Sequence, residues 1–283
     1  MLAAIRSVLF ILIMAITVTI YATATVLCFF LPVKVRYAIA SSWPRLMLQV
    51  GRWLCGMRWR VIGTENLPDG PAIVLGKHQS TWETFFLLCH MPRPAAFVFK
   101  RELLFIPFFG WAIGMLDMMH IDRRHGRRAF EYIVKSAGKQ LHKHGRWIVM
   151  FPEGTRSKPG QQQPYKSGGA RLALKNDTPI VPVAVSSGRC WPKKPFIKQP
   201  GLITVSWGPV ISVTGKTSEQ PNQEVELWIE TEMRRIDPDS YPAGDVPPIA
   251  QEIAEAARKN ASAAHDGQGE VSSVAGSAAD NAA

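Results

Sequence analysis

Two polar side chains five residues apart are the first candidates for chemistry. His78 and Glu83 lie in the stretch Gly76–Glu83 between two apolar runs, so we expect His78 at a strand end and Glu83 in the first turn of a helix. On one continuous helix the two side chains would point about 140° apart, whereas a turn between them lets them converge. A carboxylate that holds one imidazole nitrogen leaves the other nitrogen able to take a proton from a hydroxyl. The spacing is therefore compatible with a catalytic pair of His78 and Glu83 across a loop–helix junction.

A helix cap is the alternative interpretation of the same residues. Ser80 and Glu83 have the S-x-x-E spacing of a capping box, with His78 merely adjacent. The catalytic interpretation needs no serine nucleophile if the substrate brings its own hydroxyl. Neither interpretation is excluded by this motif alone.

A second candidate segment, Phe151–Ser157, follows a strand-like run. Gly154 permits a close approach of the backbone, and the guanidinium of Arg156 is a planar fork of donors suited to a phosphate. The stretch Lys166–Gly169 precedes a helix-like segment and would add backbone N–H donors. A turn with an exposed arginine is the simpler interpretation of the segment taken alone.

The elements that must position these residues alternate between short apolar runs and helix-like segments. Periodicity predicts helices at about Arg127–Lys143 and Glu224–Ile236. The runs that read as strands are Trp59–Thr64, Ala72–Gly76, Ala95–Phe99, Trp147–Phe151, Ile180–Ser186 and Leu202–Val213. This alternation predicts one α/β domain, with a mixed sheet flanked by helices.

The amino-terminal segment is apolar enough to enter a membrane. No charged residue occurs from Ser7 to Leu31, which exceeds the roughly 20 residues that cross a bilayer. A cleaved signal peptide is the alternative, because Ala22–Ala24 has the small residues of a processing site, but the apolar run continues beyond it. Six basic and no acidic residues between Lys34 and Arg60 predict that the domain faces the cytoplasm.

Two further apolar segments each allow two interpretations. The segment Tyr37–Met57 interleaves tryptophan and leucine with arginine, which fits an amphipathic helix on an anionic membrane surface or a helix packed on the domain. The segment Leu103–Met119 is interrupted by glycine and proline, so it fits an acyl-chain groove, an interfacial segment or a buried core helix. We expect residues 1–32 to be a membrane-embedded anchor, 33–58 an interfacial segment, 59–240 the catalytic domain, and 241–283 a helical remnant and a disordered tail.

Composition limits the class of partner. The formal net charge of +11 indicates an anionic partner such as a membrane or a phosphorylated molecule. No recognised nucleic-acid motif accompanies the two basic clusters, at 123–128 and 193–198, so we expect no nucleic-acid binding. The four cysteines form no C-x-x-C pair and the histidines lack metal-ligand spacing, so we expect free thiols and no metal site.

In combination and order, these residues resemble the glycerolipid acyltransferase family, and within it the lysophosphatidic acid acyltransferases. The family's four blocks correspond here to His78–Glu83, Phe99–Leu103 with Pro107–Gly110, Phe151–Arg156, and Ile180–Ala184. The resemblance extends from about Leu67 to Gly188. It departs from the family at Glu83, where the first block usually ends in aspartate, whose side chain is one methylene shorter.

The resemblance implies transfer of a fatty acyl group from acyl-CoA or acyl carrier protein to the sn-2 hydroxyl of 1-acylglycerol-3-phosphate, within a cell inner membrane. It assigns His78 as base and Glu83 as the group that orients it. The substrate-binding residues that it implies are Glu153, Gly154, Thr155 and Arg156 for the acceptor, with Lys100 or Arg101 for the oxyanion or donor. No cofactor beyond the co-substrate is expected.

Three other functions remain open at the level of the sequence. The acceptor can be another lysolipid, such as an amino-acid lyso-lipid. A membrane thioesterase or lipase would use the same pair to activate water, although no G-x-S-x-G nucleophile elbow is present to support a lipase. A lipid-binding or lipid-transfer module would use no catalytic pair at all.

Overall fold

A mixed sheet of seven strands crosses the part of the chain that the computed structural model describes, residues 1–122, 124, 126–193 and 196–255. The strands are β1 Met57–Ile62, β2 Ile73–Gly76, β3 Ala95–Lys100, β4 Met119–Ile121, β5 Trp147–Met150, β6 Ile180–Val185 and β7 Gly201–Trp207. Their order is β1-β7-β6-β2-β5-β3-β4. All neighbours are parallel except β6 and β7, so the predicted α/β domain with a mixed sheet is confirmed.

The parallel part of the sheet brings several strand ends together. Every residue of β2 and β6 is buried, and so are most residues of β5, which fits their near-continuous apolar sequences. Since β6, β2, β5 and β3 are adjacent and run in the same direction, the loops that follow them meet at one edge of the sheet. Ligands of open α/β sheets bind at this carboxyl edge.

Three strands differ from the sequence-based prediction by more than one residue at an end. Strand β1, predicted for Trp59–Thr64, begins and ends two residues earlier. The strand predicted for Leu202–Val213 ends at Trp207, because Gly208 and Pro209 interrupt it and proline has no N–H for a ladder. The short strand β4 lies outside the predicted strands, because it has only three residues and begins at the last residue of the apolar run Leu103–Met119.

Seven α-helices accompany the sheet within the described residues up to Pro242. They are α1 Leu2–Leu27, α2 Val33–Cys55, α3 Trp82–His90, α4 Phe109–Gly114, α5 Gly126–Gly138, α6 Gly168–Lys175 and α7 Glu219–Ile236. The helix predicted for Arg127–Lys143 is α5, continued by the π-helical turn Lys139–Lys143. Helix α7 begins five residues before the predicted Glu224, because Pro221 lies in its first turn, where no intrahelical N–H is needed.

Helix α1 is long and apolar enough to cross a membrane, and it also packs on the domain. Its mean hydropathy is 2.3, and 11% of the most apolar window is buried against protein. Phe10 is fully buried, the Ser7 hydroxyl accepts a hydrogen bond from the Lys198 N–H at 2.7 Å, and Trp43 Nε1 donates to Thr17 Oγ1 at 3.0 Å. An apolar helix of this kind indicates membrane association, but it is not a detached anchor.

Helix α2 follows the second interpretation of its segment, a helix packed on the domain. The Tyr37 hydroxyl donates to the Leu88 carbonyl oxygen at 2.8 Å and accepts from the Ala95 N–H at 2.7 Å, and burial raises the pKa of Tyr37 to about 12. Trp53, at the other end of the helix, is 80% exposed and is left for a partner or a lipid surface. The first 58 residues and the sheet therefore belong to one packing unit, Met1–Pro242.

The described residues after Pro242, 243–255, lie in a second unit. Residues 248–255 are helical. The tail predicted to be disordered after Asn260 lies outside the described residues.

Candidate active site

His78 and Glu83 meet at the carboxyl edge of the sheet. His78 follows β2 by two residues, and Glu83 lies in the first turn of α3. Because the chain turns between them, His78 Nδ1 lies 2.9 Å from Glu83 Oε1. The loop thus brings together two side chains that a continuous helix would hold apart.

The Glu83 carboxylate is completely buried and held by five hydrogen bonds. Oε1 accepts from His78 Nδ1 and from the N–H groups of Gln79 and Ser80, both at 2.7 Å. Oε2 accepts from the hydroxyls of Ser80 at 2.7 Å and Ser187 at 2.5 Å. Burial by itself would raise the pKa of Glu83, but the hydrogen bonds and the charge of His78 outweigh it and lower the pKa below its usual value.

The structure contains both the helix cap and the close pair of His78 and Glu83. Glu83 accepts from the Ser80 N–H, and the Ser80 hydroxyl accepts from the Trp82 N–H at 2.9 Å, which secures the start of α3. The same carboxylate orients His78. One group therefore fixes the loop and the imidazole together.

Three contacts from the loop after β5 fix His78. Its ring stacks on Phe151 at 4.0 Å between centroids. Its backbone N–H donates to Glu153 Oε1 at 2.9 Å, and its backbone carbonyl oxygen accepts from the Ser157 backbone N–H at 2.8 Å. The side chain is 19% exposed and lines the main cavity. With Nδ1 directed at the carboxylate, Nε2 is the nitrogen left to accept a proton from a bound hydroxyl.

The cavity in front of His78 has a cationic region and an apolar region. Its volume is about 700 Å³. Four cationic side chains line it, those of Lys100, Arg156, Lys166 and Lys193. Its apolar walls come from α1, α2, α3 and α4 and include Tyr21, Trp43, Phe85, Ile113 and Leu116. This combination suits an amphiphile with an anionic head and a long apolar tail.

Most of the acceptor-binding residues predicted from the sequence line this cavity. Gly154, Thr155 and Arg156 do so, and Arg156 Nη1 donates to Thr81 Oγ1 at 3.2 Å beside the start of α3. Gly154 has φ +67°, a conformation that glycine adopts without strain, and a Cβ there would lie 3.1 Å from Lys166 Nζ.

Glu153 does not line the cavity, although the sequence analysis placed it around the acceptor. It is 3% exposed and lies behind His78, where Oε1 accepts the His78 N–H and Oε2 is 3.4 Å from Lys77 Nζ. Burial raises the pKa of Glu153, and Lys77 and the His78 N–H oppose that rise only in part. Its observed contacts hold the backbone of His78 in place.

Of Lys100 and Arg101, only Lys100 lines the cavity. Arg101 instead pairs with Asp122, with Nη1 and Oδ2 3.4 Å apart, and lines a separate hollow beside His120. Adjacent residues at a strand end point to opposite faces, which explains the separation.

Lys193 is a cavity residue that sequence reasoning did not assign to the site. Its Nζ donates to Thr155 Oγ1 at 3.2 Å and to the Arg156 carbonyl oxygen at 2.7 Å. Because the contact joins segments 37 and 38 residues apart, no local spacing could have revealed it.

Replacing Glu83 by glutamine should destabilise the fold in a pH-dependent way. The amide would place an NH₂ group among donors that now bind a carboxylate, and loss of charged hydrogen bonds costs roughly 3 kcal/mol. Since the folded-state pKa of Glu83 lies below its ordinary value, its ionisation stabilises the fold above the unfolded-state pKa, about 4.3, and this contribution is lost as the pH falls through the folded-state value.

Thermal unfolding of Glu83→Gln and wild type tests this expectation between pH 7 and pH 3. The Tm of the variant should be lower at pH 7, and the gap should narrow below about pH 4. The exposed Glu65, replaced by glutamine, serves as the matched control. A gap of constant size over the whole range would contradict the assigned ionisation.

Comparison with known proteins places this site in a family. A family model described as Acyltransferase matches residues 58–186. A 1-acyl-sn-glycerol-3-phosphate acyltransferase of Pseudomonas aeruginosa is 39% identical over 243 residues, which cover 83% of this chain and 93% of that protein. One of Borreliella burgdorferi is 30% identical, covering 64% of this chain and 72% of that protein.

The fold has a match among solved structures. The crystal structure of the 1-acyl-sn-glycerophosphate acyltransferase of Thermotoga maritima aligns with a TM-score of 0.69 and 22% identity, covering 82% of this chain and 95% of that chain. At this identity the match supports the fold alone. With the extended sequence similarity to the Pseudomonas protein, we conclude that this chain is an acyltransferase and belongs to the 1-acyl-sn-glycerol-3-phosphate acyltransferase family.

Proposed function

We propose that this enzyme transfers a fatty acyl group from a thioester donor to the sn-2 hydroxyl of 1-acylglycerol-3-phosphate, giving phosphatidic acid for phospholipid biosynthesis. The observation that carries the proposal is that His78 and Arg156 line the same cavity, beside a long apolar wall. A glycerol bridging these two side chains would present its hydroxyl to the imidazole and its phosphate to the guanidinium. The names of the related proteins support the same acceptor.

His78 supplies the base in the proposed reaction. Nε2 takes the proton of the sn-2 hydroxyl as its oxygen attacks the thioester carbonyl carbon, and the buried Glu83 carboxylate stabilises the imidazolium that forms. The tetrahedral intermediate then collapses with cleavage of the C–S bond, and the imidazolium returns its proton to the departing thiolate. The ester C–O bond replaces the thioester C–S bond, so no further reactant is needed.

The cations of the cavity bind the negative charges of the two substrates. Arg156 can hold a phosphate through two parallel hydrogen bonds, and Lys193 and Lys166 add charge beside it. Lys100 enters from β3, on another side of the cavity, and we assign it to the oxyanion or to the donor.

The apolar wall binds acyl chains in this proposal. The donor is acyl-CoA or acyl carrier protein, used as a co-substrate, and no resident cofactor is required. Ala112 of α4 is 8% exposed and lines the cavity, so a larger side chain there would shorten the space for an acyl chain.

Replacement of Ala112 by tryptophan should change the acyl-chain preference. We expect kcat/KM for long-chain donors to fall about tenfold more than for short-chain donors, because the indole occupies space that only a long chain needs. Ala38→Trp, an exposed position on α2, provides the matched control. An equal loss for donors of every length would remove Ala112 from the chain-binding wall.

The apolar and basic surfaces support a membrane location. We propose a cell inner membrane, with α1 embedded in it and the catalytic domain on the cytoplasmic side. The exclusively basic segment between Lys34 and Arg60 supports this orientation, and the exposed Phe105 and Trp111 beside the cavity-lining residues of α4 support contact with lipid. Protease should degrade the domain in inverted membrane vesicles and spare it in spheroplasts, and the reverse result would overturn the orientation.

A labelled-donor assay with purified enzyme tests the proposed reaction. Labelled acyl-CoA or acyl carrier protein is incubated with 1-acylglycerol-3-phosphate, with an amino-acid lyso-lipid, or without acceptor. Labelled phosphatidic acid that depends on the first acceptor supports the proposal. Preference for the second acceptor, release of free fatty acid without acceptor, or binding without turnover would each replace it.

A further inference from the structure

Ser187 joins the catalytic pair from a third part of the chain. It follows β6 by two residues and is fully buried. Its hydroxyl donates to Glu83 Oε2 at 2.5 Å, across 104 positions of sequence. The next residue strengthens the connection, because the Gly188 N–H donates to Gln79 Oε1 at 3.0 Å.

The two oxygens of Glu83 are held differently. All donors to Oε1 come from the loop that carries His78, namely His78 itself, Gln79 and Ser80. Oε2 has the hydroxyls of Ser80 and Ser187. Among these five donors, Ser187 alone belongs to a different strand connection, so its hydrogen bond fixes the carboxylate relative to the sheet and not only relative to its own loop.

Of the two hydroxyls that contact Oε2, the Ser187 hydroxyl lies nearer. The Ser80 hydroxyl has one proton, and its oxygen lies 2.7 Å from Glu83 Oε2 and 3.1 Å from Ser187 Oγ. Its oxygen also accepts from the Trp82 N–H. The Ser187 contact is the shorter of the two to the carboxylate.

A glutamate needs such a support more than an aspartate would. Glutamate has one more rotatable bond between backbone and carboxylate, so more rotamer freedom must be removed to hold Oε1 against His78. The chain has glutamate at the position where its family usually has aspartate, and β6 supplies a hydroxyl at the far oxygen of this longer side chain.

We propose that Ser187 is a positioning residue for acyl transfer, which holds Glu83 so that His78 presents Nε2 to the acceptor hydroxyl. It does not line the cavity and therefore touches no substrate. The proposal rests on the proposed function, because it assigns Ser187 to the same reaction.

Removal of the hydroxyl in Ser187→Ala should lower kcat and leave the KM values unchanged. We expect kcat to fall by about tenfold or more, since a hydrogen bond to a charged group is lost. Both KM values should stay within about twofold, because the cations and apolar wall of the cavity are untouched.

The pH profile distinguishes positioning from a general loss of structure. Without the Ser187 donor, the Glu83 carboxylate is stabilised by fewer hydrogen bonds and attracts a proton more strongly. The pair should therefore take up its first proton at a higher pH, and the acid limb of kcat/KM should move to higher pH. The neighbouring charged groups are Lys77 and Glu153 behind His78, and Arg156 at Thr81. The Ser187 substitution removes none of them, so the shift can be assigned to the pair.

Ser186→Ala is the matched control. Ser186 is the adjacent buried serine, and its hydroxyl accepts from the Thr204 N–H at 3.0 Å instead of contacting Glu83. This variant should lose a similar amount of stability and keep the wild-type acid limb. Ser187→Thr retains a hydroxyl and should recover most of kcat.

The experiment compares wild type, Ser187→Ala, Ser187→Thr and Ser186→Ala in Tm, kcat, KM and pH profile. A lower kcat with an upward-shifted acid limb in Ser187→Ala alone supports the inference. It is overturned if Ser187→Ala keeps the wild-type kcat, if its acid limb stays in place while activity falls in proportion to stability, or if Ser186→Ala behaves in the same way. Absence of acyl transfer in wild type would instead overturn the proposed function.

Discussion

His78→Ala should reduce kcat for acyl transfer by about 10³-fold while the protein remains folded. General-base catalysis contributes typically 10²- to 10⁴-fold, and no neighbouring side chain on the cavity wall offers a second neutral base beside His78 within the described residues. The ring makes one hydrogen bond to Glu83 and stacks on Phe151, so its loss should lower the Tm while the protein stays folded at the assay temperature. Steady-state turnover of purified enzyme, together with thermal unfolding, measures both quantities.

His142→Ala provides the matched control for this variant. His142 is an exposed histidine on the turn after α5, away from the cavity. It should retain wild-type kcat. Near-normal turnover in well-folded His78→Ala would remove the base from the mechanism, and an equal loss in His142→Ala would show that the effect is not specific to the site.

Arg156→Ala should raise the KM for 1-acylglycerol-3-phosphate by about 10- to 100-fold, with a much smaller change in kcat. The loss of a charged hydrogen-bonded contact costs about 1.5–3 kcal/mol, and this contact persists from the bound substrate to the transition state. Arg156→Lys should recover only part of the affinity, because the ammonium keeps the charge but lacks the planar fork. Exposed Lys158→Ala is the control for loss of a nearby positive charge.

A second acceptor makes the Arg156 prediction sharper. Monoacylglycerol has the same hydroxyl and acyl chain without the phosphate, and wild type should use it poorly. In Arg156→Ala the preference for the phosphorylated acceptor should decrease by the same factor as its KM rises. An unchanged preference would assign the phosphate to Lys166 or Lys193 and not to Arg156.

The two variants together test the arrangement from which the function is inferred. His78 follows β2 and Arg156 follows β5, and these two strands are neighbours in the sheet. Parallel neighbours place their following loops side by side, so a small polar headgroup can contact both. If one substrate spans the two loops, His78→Ala should mainly lower kcat and Arg156→Ala should mainly raise KM.

The replacement of aspartate by glutamate in the first block has a structural explanation here. The longer side chain reaches the hydroxyl that follows β6, and its carboxylate is satisfied on both oxygens. The pair distance of 2.9 Å is an ordinary hydrogen bond. Contacts from outside the motif therefore help to fix the geometry of the pair.

Local pattern was sufficient for the elements that bear the site. Continuous apolar runs gave β2, β5 and β6 nearly to the residue, because strands buried on both faces have no alternation to obscure their limits. The turn between His78 and Glu83 followed from the incompatibility of their spacing with one helix. Pattern failed at β4, a three-residue strand that begins only at the last residue of a longer apolar segment.

The sequence by itself determined the loop–helix junction of His78 and Glu83, the turn after β5 that we propose binds phosphate, and the apolar amino terminus, since each depends on residues within one or two turns of chain. Only the tertiary structure decided that Glu153 supports His78 from behind, that Arg101 turns away from the cavity while Lys193 enters it, and that Ser187 holds Glu83. These contacts depend on the order of the strands and on the direction in which each side chain points after its strand ends. Spacing along the chain carries no information about either, because they are set by how distant segments pack together.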